Sequence, residues 1–282
     1  MKYVSFEVAG SRRSWGAAVD GQVYDLGPGG ADVAATLRDA IAGNLLRDSL
    51  IDGLDPVGRE SEVSFLPAVP NPGKIICVGV NYRSHLEETG KAEAGAPTLF
   101  TRFADSQTGH LVPVQFPAVG TQFDYEGELA VVIGAPAFKV PSTDAFSVIA
   151  GYSIYDDFTV RDWQRATTQW TPGKNFPGTG AMGPYFVPAA DVDDIQSCTL
   201  ETRVNGEQRQ KATIADMRFP IDRLIEHIST FTPLAPGDII VTGTPGGVGL
   251  FMDPPALLSP GDVVEVEITG LGVLRNEIVA EQ

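Results

Sequence analysis

Hydrophobic and polar positions alternate along much of this chain with the period of β-strands. Residues 2–9 show this alternation from the start. Asp20-Gly21 then lies between two short apolar segments, as in a two-residue hairpin turn. Further strands are predicted over residues 74–80, 129–133, 151–155, 200–204, 239–241, 263–268 and 273–279. The pattern therefore predicts a mainly β protein.

Helical periodicity is confined to short segments. The clearest amphipathic helix covers residues 221–228, with apolar side chains at i, i+3, i+4 and i+7. A weaker stripe predicts a helix over residues 33–43, and residues 45–54 predict a second one. Residues 159–162 fit a capping box at the start of another helix. The Gly- and Pro-rich residues 170–184 predict a loop.

Three prolines within residues 66–72 mark the best domain boundary, because proline can neither continue a helix nor lie in a central strand. Residues 1–66 are predicted to form a small N-terminal α+β module. Residues 67–282 are predicted to form a larger, mostly β domain that carries the chemistry.

Composition and charge narrow the classes of function. The formal charge of −16 argues against nucleic acids and anionic membranes as partners, and an anionic substrate would need local cations or a metal ion. No run of apolar residues is long enough to span a membrane. The first residues lack the pattern of a signal peptide, so a cytoplasmic location is expected. Cys77 and Cys198 fit a reducing compartment and have no metal-ligand spacing.

Two acidic residues, Glu126 and Glu128, precede and enter the apolar strand at residues 129–133. Alternate strand residues share a face, so the two carboxylates are neighbours that need a positive partner. Asp157 follows the strand at residues 151–155 and could complete a three-carboxylate site. Oxygen ligands favour magnesium, manganese or calcium over zinc. Separate solvated acids are the alternative interpretation.

Three further residues could take part in catalysis. His85 and Glu88 are three positions apart, so on a helix the carboxylate could orient the imidazole as a general base. Lys174 lies in the Gly/Pro-rich segment and could bind a carboxylate or an oxyanion. An exposed His–Glu pair and a solvated lysine remain the alternatives.

Together, these segments resemble the fumarylacetoacetate hydrolase family over roughly residues 70–280. Several of its motifs occur in order: Asn81-Tyr82-x-x-His85-x-x-Glu88, Pro97-x-Leu99-Phe100, Asp124-Tyr125-Glu126-x-Glu128, Gly151-Tyr152 leading to Asp157, Arg161-Asp162-x-Gln164, Lys174-x-Phe176 and Gly243-Thr244-Pro245. Each motif alone is weak, whereas their combination in one order is specific.

The resemblance implies a fold and a set of roles. The implied fold is a mixed β-sandwich or β-roll of the family's C-terminal type, usually dimeric. Glu126, Glu128 and Asp157 match the metal ligands of the family, usually Mg²⁺ or Mn²⁺. The other matching positions are His85 and Glu88 as the catalytic dyad, Lys174 as the lysine near the substrate, and Arg102, Gln164 and Thr244 as substrate-binding positions.

Three positions depart from the family pattern. Asp156 stands where many members have Asn, which adds a negative charge beside the metal site. Pro177 replaces a common Asp after Lys174, and Arg102 occupies a position that is often Lys. No predicted ligand is lost, but the first two changes bear on which substrate fits.

These roles lead to a predicted reaction and two alternatives. The prediction is metal-dependent hydrolysis of a C–C bond in a small anionic acylpyruvate-like or other β-diketo acid. The first alternative is decarboxylation, hydration or isomerisation of a 2-oxo acid at the same site, since these reactions also need a stabilised enolate and proton transfer. The second is a non-catalytic, metal-dependent binding protein.

Overall fold

The computed structural model describes residues 1–8, 12–90 and 92–282, and most of its regular structure is β. The strands are β1 Lys2–Val8, β2 Arg12–Val19, β3 Gln22–Asp25, β4 Gly58–Arg59, β5 Ser64–Phe65, β6 Ile75–Gly79, β7 Thr98–Arg102, β8 Gln107–Thr108, β9 Val114–Phe116, β10 Phe123–Asp124, β11 Gly127–Ile133, β12 Ile149–Asp157, β13 Thr159–Val160, β14 Gly180–Pro188, β15 Thr199–Val204, β16 Glu207–Thr213, β17 Ile239–Val241, β18 Val263–Ile268 and β19 Gly272–Ala280.

The helices are short by comparison. They are α1 Leu37–Ala42, α2 Arg83–Thr89, α3 Arg161–Gln164, α4 Thr171–Lys174 and α5 Ile221–Phe231. Short 3₁₀ segments lie at Asp48–Ile51, Glu60–Glu62, Ala104–Ser106, Ser142–Val148, Ala189–Asp191, Ile195–Ser197, Ile214–Asp216 and Gly249–Phe251. None of the helices in the described ranges has the length and apolar character needed to cross a membrane.

Two mixed sheets form the body of the molecule. The larger has the strand order β4-β3-β2-β1-β14-β12-β11-β17-β6-β7, with β5 added to β1 and β8 added to β14. The second has the order β16-β15-β18-β19-β9. A two-stranded ladder, β10-β13, lies beside them. This is the predicted mainly β architecture with mixed sheets and α+β elements.

Strand β11 lies at the centre because both of its faces are buried. Leu129, Val131 and Ile133 face a core shared with the second sheet. Ala130 and Val132 face a separate core that includes residues of the N-terminal strands and α1. A strand covered on both sides reads as a continuous apolar run rather than an alternating one. The central strand therefore fixes Glu128, at its start, in a buried position.

Several of the predicted local elements are confirmed. The Asp20-Gly21 hairpin has positive φ at both turn residues, 50° and 76°, which matches a two-residue turn of the type that suits twisted strands. Helix α5 buries the predicted stripe, and α1 ends at Gly43 as predicted but begins at Leu37, four residues later than predicted. Strand β1 covers residues 2–8; the predicted extension to residue 9 lies outside the described residues.

Three local predictions were wrong. Residues 45–54 form only a 3₁₀ turn at Asp48–Ile51, because the positive φ values of Asn44 and Gly53 interrupt the chain on either side. The hydroxyl of Thr159 donates to the Asp157 carbonyl rather than capping α3, which has no side-chain cap. Residues 170–184 are not one loop, since they contain α4 and the start of β14.

The N-terminal strands join the large sheet through β1 and β14, paired at Tyr3 and Phe186. The sheet is therefore continuous across the proline-rich segment at residues 66–72. The division into residues 1–66 and 67–282 stays a prediction.

His110 packs between Phe65 and the backbone of Arg275, and its titration makes the stability of the fold depend on pH. Its ring lies edge-on to Phe65 at 5.0 Å between centroids, and its Nδ1 accepts a hydrogen bond from the Arg275 backbone N–H at 3.0 Å. Burial, and then the charge of Arg275, lower the pKa of His110 to about 4. The folded protein therefore prefers the neutral imidazole.

This preference predicts acid destabilisation. As pH falls from about 6.5 to about 4, the unfolded chain takes up the His110 proton first, so the free energy of unfolding falls, by at most about 3 kcal/mol. We expect His110→Gln to flatten this part of the stability–pH curve, measured by urea unfolding at several pH values. An unchanged slope in the variant would show that His110 does not carry the effect.

Candidate active site

Of the three predicted catalytic residues, His85 and Lys174 line one cavity of about 210 Å³, and Glu88 contacts His85. Its apolar wall includes Val78, Phe100 and Trp170, and the segment that carries Leu250 and Phe251 forms another side. The polar lining residues are His85, Thr89, Glu126, Glu128, Arg161, Gln164, Arg165, Lys174 and Thr244. The cavity is smaller than the roughly 300–1,000 Å³ typical of pockets for drug-sized ligands.

Glu126, Glu128 and Asp157 form a buried carboxylate triad at one end of this cavity. Glu126 lies just before β11, Glu128 lies in β11, and Asp157 is the last residue of β12. Antiparallel pairing places Gly127 opposite Asp156, so the start of one strand meets the end of the other. One oxygen of each carboxylate lies within 4.8 Å of the others, close enough to share a single ion.

Lys174 reaches the triad from α4. Its Nζ donates to Glu126 Oε2 at 2.7 Å and to Asp157 Oδ2 at 2.6 Å. Burial opposes the ammonium, but Asp157 and Glu126 more than offset it and raise the pKa of Lys174. The sequence predicted this lysine near the substrate; its contacts in the structure are two of the three predicted metal ligands.

Two buried arginines form ion pairs with carboxylates of the triad. Arg102 donates to the Asp157 carboxylate and to the Thr179 hydroxyl, and it does not line the cavity. Arg161 does line the cavity, and its Nη1 donates to Glu126 Oε1 at 2.6 Å. Arg161 Nε also donates to Asp124 Oδ2 at 2.9 Å, so one guanidinium bridges two acids.

The carboxylates differ in their tendency to ionise. Burial raises the pKa of Glu126, but Lys174 and Arg161 outweigh it and lower that pKa to about 2. Burial, and then the Asp157 and Glu126 charges, raise the pKa of Glu128 well above its ordinary value. Burial is also the main reason why the pKa of Asp156 is raised to about 8. Negative charge in this cluster is therefore incompletely balanced.

The charges of the buried cluster fit a divalent cation. Five buried carboxylates, those of Asp124, Glu126, Glu128, Asp156 and Asp157, surround three buried cations, Arg102, Arg161 and Lys174. The formal imbalance is two negative charges. Oxygen-only donors from three carboxylates are the ligand set preferred by hard ions such as Mg²⁺ and Mn²⁺. The residues present therefore suit the implied metal.

His85 and Glu88 form the expected dyad on α2. His85 Nδ1 lies 2.6 Å from Glu88 Oε1, and the ring is buried at the cavity wall. Glu88 Oε2 also accepts the Gly247 N–H at 2.8 Å, which fixes the carboxylate. With Nδ1 held by Glu88, Nε2 is the nitrogen left to exchange a proton with a ligand.

The loop after β17 links the dyad to the triad. The Gly243 N–H donates to Glu128 Oε2 at 2.5 Å, and the Thr244 hydroxyl donates to the Gly127 carbonyl at 2.9 Å. Gly243 has φ of 100°, and a Cβ there would meet the Asn81 Cβ at 2.6 Å, so the position requires glycine. The backbone of this loop thus donates to Glu128 of the triad, through Gly243, and to Glu88 of the dyad, through Gly247.

Sequence reasoning gave no role to Arg161 or Asp124, although both lie in the quoted motifs. Asp124 accepts the backbone N–H groups of Gly249 and Leu250 at 2.8 and 3.0 Å, in addition to its bond with Arg161. Arg161 is three residues before Gln164, whose Oε1 accepts from Arg161 Nη1 at 3.1 Å. In the sequence, the motif Arg161-Asp162-x-Gln164 was the feature that could have indicated a cation at this wall of the cavity.

Comparisons with known proteins agree with this geometry. Residues 74–279 match the family model described as fumarylacetoacetate (FAA) hydrolase C-terminal. An oxaloacetate tautomerase of Bacillus subtilis is 43% identical over 223 residues, which is 77% of this chain and 74% of that protein. A mitochondrial oxaloacetate tautomerase of Bos taurus is 41% identical over 226 residues, covering 79% of this chain and 72% of that protein.

A solved structure extends the similarity to the whole chain. It is that of a fumarylacetoacetate hydrolase from the psychrophilic Exiguobacterium antarcticum, with a TM-score of 0.88, 35% sequence identity and 100% coverage of both chains. The match therefore includes the N-terminal strands as well as the cavity. The chain belongs to the fumarylacetoacetate hydrolase family.

Proposed function

We propose that this protein is an enzyme that interconverts the keto and enol forms of a small 2-oxo dicarboxylic acid, with oxaloacetate as the best candidate. The observation that carries the proposal is that His85 lines one small cavity together with Glu126 and Glu128. Glu88 contacts His85, and Asp157 completes the carboxylate triad beside this lining. A proton-transfer group beside a cation site is the arrangement that enolisation needs.

Glu126, Glu128 and Asp157 would hold the divalent ion, Mg²⁺ or Mn²⁺. When bound, this ion supplies a Lewis acid that lowers the energy of negative charge on the substrate's 2-oxo oxygen. Lys174, Arg161 and the Gln164 amide line the same cavity and would orient the 2-oxo acid end of the substrate. Because these groups are held by buried partners, they need little reorganisation when charge develops.

The His85–Glu88 dyad would carry out the proton transfer. His85 Nε2 would accept a proton from C3 of the keto acid. The C3–H bonding electrons would form the second C2–C3 bond while the π electrons of the C2 carbonyl move to its oxygen, which gives the enolate. Return of the proton to the C2 oxygen yields the enol, and the reverse sequence restores the ketone. Glu88 would stabilise the imidazolium, since its Oε1 lies 2.6 Å from Nδ1.

Two further observations support this substrate class. A cavity of about 210 Å³ suits a molecule with few heavy atoms better than a large aromatic acid. Two relatives that share 41–43% of their aligned residues with this chain are oxaloacetate tautomerases by name. Hydrolysis of a C–C bond, the reaction that the sequence predicts, has no comparable support from these two relatives.

Hydrolysis of an acylpyruvate remains a second candidate for one specific reason. A histidine held at 2.6 Å by a carboxylate can equally deprotonate water for attack on a carbonyl carbon. The similar structure from Exiguobacterium antarcticum is that of a hydrolase by name. Hydrolysis would cleave the C–C bond, whereas tautomerisation leaves the carbon skeleton intact.

Product analysis separates these activities. The Mg²⁺-loaded protein is mixed in separate assays with the enol of oxaloacetate and with acetylpyruvate, and absorbance and NMR follow the reactions. We expect faster conversion of enol to ketone, with the four-carbon acid conserved and acetylpyruvate intact. Acetate plus pyruvate would favour hydrolysis, carbon dioxide release would favour decarboxylation, and no reaction with either compound would contradict the proposal.

The remaining expectations are parts of the same proposal. A small anionic 2-oxo acid is the proposed partner of the cavity. Assembly as a homodimer and a cytoplasmic location stay predictions. Gel filtration with light scattering tests the first of these, and fractionation of cells that express the chain tests the second.

A further inference from the structure

Arg165 is a cation at the cavity wall that the proposed chemistry leaves without a role. It follows Gln164 directly and lines the same cavity. Its backbone N–H donates to the Arg161 carbonyl at 3.0 Å and closes the end of α3. The backbone of Arg165 is therefore held in a fixed position relative to Gln164 and Arg161, both of which are buried.

Arg165 differs from the other cationic side chains of the cavity lining in its ion pairing. Among the described residues, the other permanently cationic lining side chains are Arg161 and Lys174. Each of those two is ion-paired with two carboxylates. Arg165 instead donates to the neutral amide oxygen of Gln122 at 2.5 Å and to the Arg161 carbonyl at 3.4 Å. Its charge has no anionic partner in the described part of the chain.

The Arg165 guanidinium is thus a cationic group without an ion-pair partner in a protein with a formal charge of −16. A guanidinium presents several N–H donors in a plane that matches a carboxylate. The buried end of the cavity is already supplied with cations for the 2-oxo acid group. Arg165 is exposed, so it would meet a part of the substrate nearer to solvent.

We propose that Arg165 binds the distal carboxylate of the substrate and so selects dicarboxylic over monocarboxylic 2-oxo acids. This inference rests on the proposed function, because it assumes that the 2-oxo acid end binds at the triad. Exchange of the neutral Gln122 contact for a carboxylate would convert a charge–dipole contact into an ion pair. Phe100, Trp170 and Leu250 form apolar parts of the lining, beside which a carboxylate would be disfavoured.

Equilibrium binding tests the inference independently of turnover. Oxaloacetate and pyruvate differ by the distal carboxylate, and their dissociation constants are measured by calorimetry on the Mg²⁺-loaded protein. We expect Arg165→Gln to weaken oxaloacetate binding by roughly 10-fold to 100-fold, the range for loss of one charged hydrogen-bonding partner. Pyruvate binding should change by less than about 2-fold.

Arg83→Gln is the matched control. Arg83 is also exposed and lies near the site on α2, but it does not line the cavity, so its loss changes net charge alone. The inference is overturned if Arg165→Gln weakens both ligands equally or neither, if the Arg83 variant shows the same selectivity loss, or if the wild type does not prefer oxaloacetate. Selective binding that depends on Arg165 without any tautomerisation would refute the proposed function and leave the inference standing.

Discussion

Replacement of His85 by Asn is expected to lower the turnover number by about 100-fold to 10,000-fold, the range for loss of a general acid–base group. Asn retains a polar group near Glu88 but cannot exchange a proton at the position of Nε2. Because His85 contributes little to holding the carboxylate groups of the substrate, KM should change far less than the turnover number. Stopped-flow absorbance of enol oxaloacetate measures both values.

His227→Asn is the control for this variant. His227 lies half-buried on α5 and is not among the residues that line the cavity. Its substitution should leave the turnover number within about 2-fold of the wild type. Near wild-type turnover in His85→Asn, with folding verified by circular dichroism, would remove the dyad from the mechanism.

Two substitutions at the triad should have opposite effects on the metal-free protein. Lys174→Met removes two buried ion pairs and leaves Glu126 and Asp157 without their ammonium. We expect it to lower the free energy of unfolding in chelator by about 3–5 kcal/mol. Added Mg²⁺ should restore part of that loss, since it supplies positive charge to the same carboxylates.

Glu128→Gln should stabilise the metal-free protein. Its raised pKa means that the folded state holds the Glu128 proton more tightly than the unfolded chain, so stability falls as pH rises above about 4.5. The amide removes this penalty and can still accept the Gly243 N–H. The stability gain over the wild type should therefore grow from acidic to neutral pH in the presence of chelator.

The same Glu128 variant should bind the metal poorly. Loss of a residue that merely supports a ligand costs roughly 10-fold to 100-fold in metal affinity, so loss of a ligand should cost more. Calorimetric titration with Mn²⁺ measures the dissociation constant, and thermal unfolding in chelator measures stability. Wild-type metal affinity in Glu128→Gln would exclude this residue as a ligand.

Local sequence patterns were sufficient for the central part of the fold. The run from Leu129 to Ile133 predicts a strand, and the position of Glu126 and Glu128 at its start predicts the carboxylate pair. The spacing of His85 and Glu88 predicts their hydrogen bond on α2. In each case the two interacting groups lie within a few residues, where strand or helix geometry alone sets their distance.

Contacts between distant segments were not predictable in this way. Arg161 and Asp124 are 37 positions apart, and the pairing of β10 with β13 helps to bring their segments together. The contact of Lys174 with Glu126 spans 48 positions and depends on a four-residue helix too short and too Gly/Pro-rich to show a period. The sequence motifs include these residues, but the charge balance of the site became evident only from their positions in the three-dimensional structure.

Two of the three wrong local predictions arise because the side-chain pattern does not determine the backbone conformation. Residues 45–54 contain apolar side chains at helical spacing, yet their backbone is interrupted by residues in the left-handed region. Thr159 has the chemistry of a cap, but its hydroxyl is used by a carbonyl in the preceding strand. Side-chain patterns report what could be buried, whereas the backbone conformation depends on competing hydrogen bonds.

We expect enolisation to require a divalent cation at the Glu126, Glu128 and Asp157 triad. The most direct test is to measure oxaloacetate tautomerisation as a function of bound metal, after chelation and stepwise addition of Mg²⁺ or Mn²⁺. Activity should vanish in the metal-free protein and rise in proportion to occupancy, with saturation at a single ion per chain. Full activity in protein freed of metal would contradict the account.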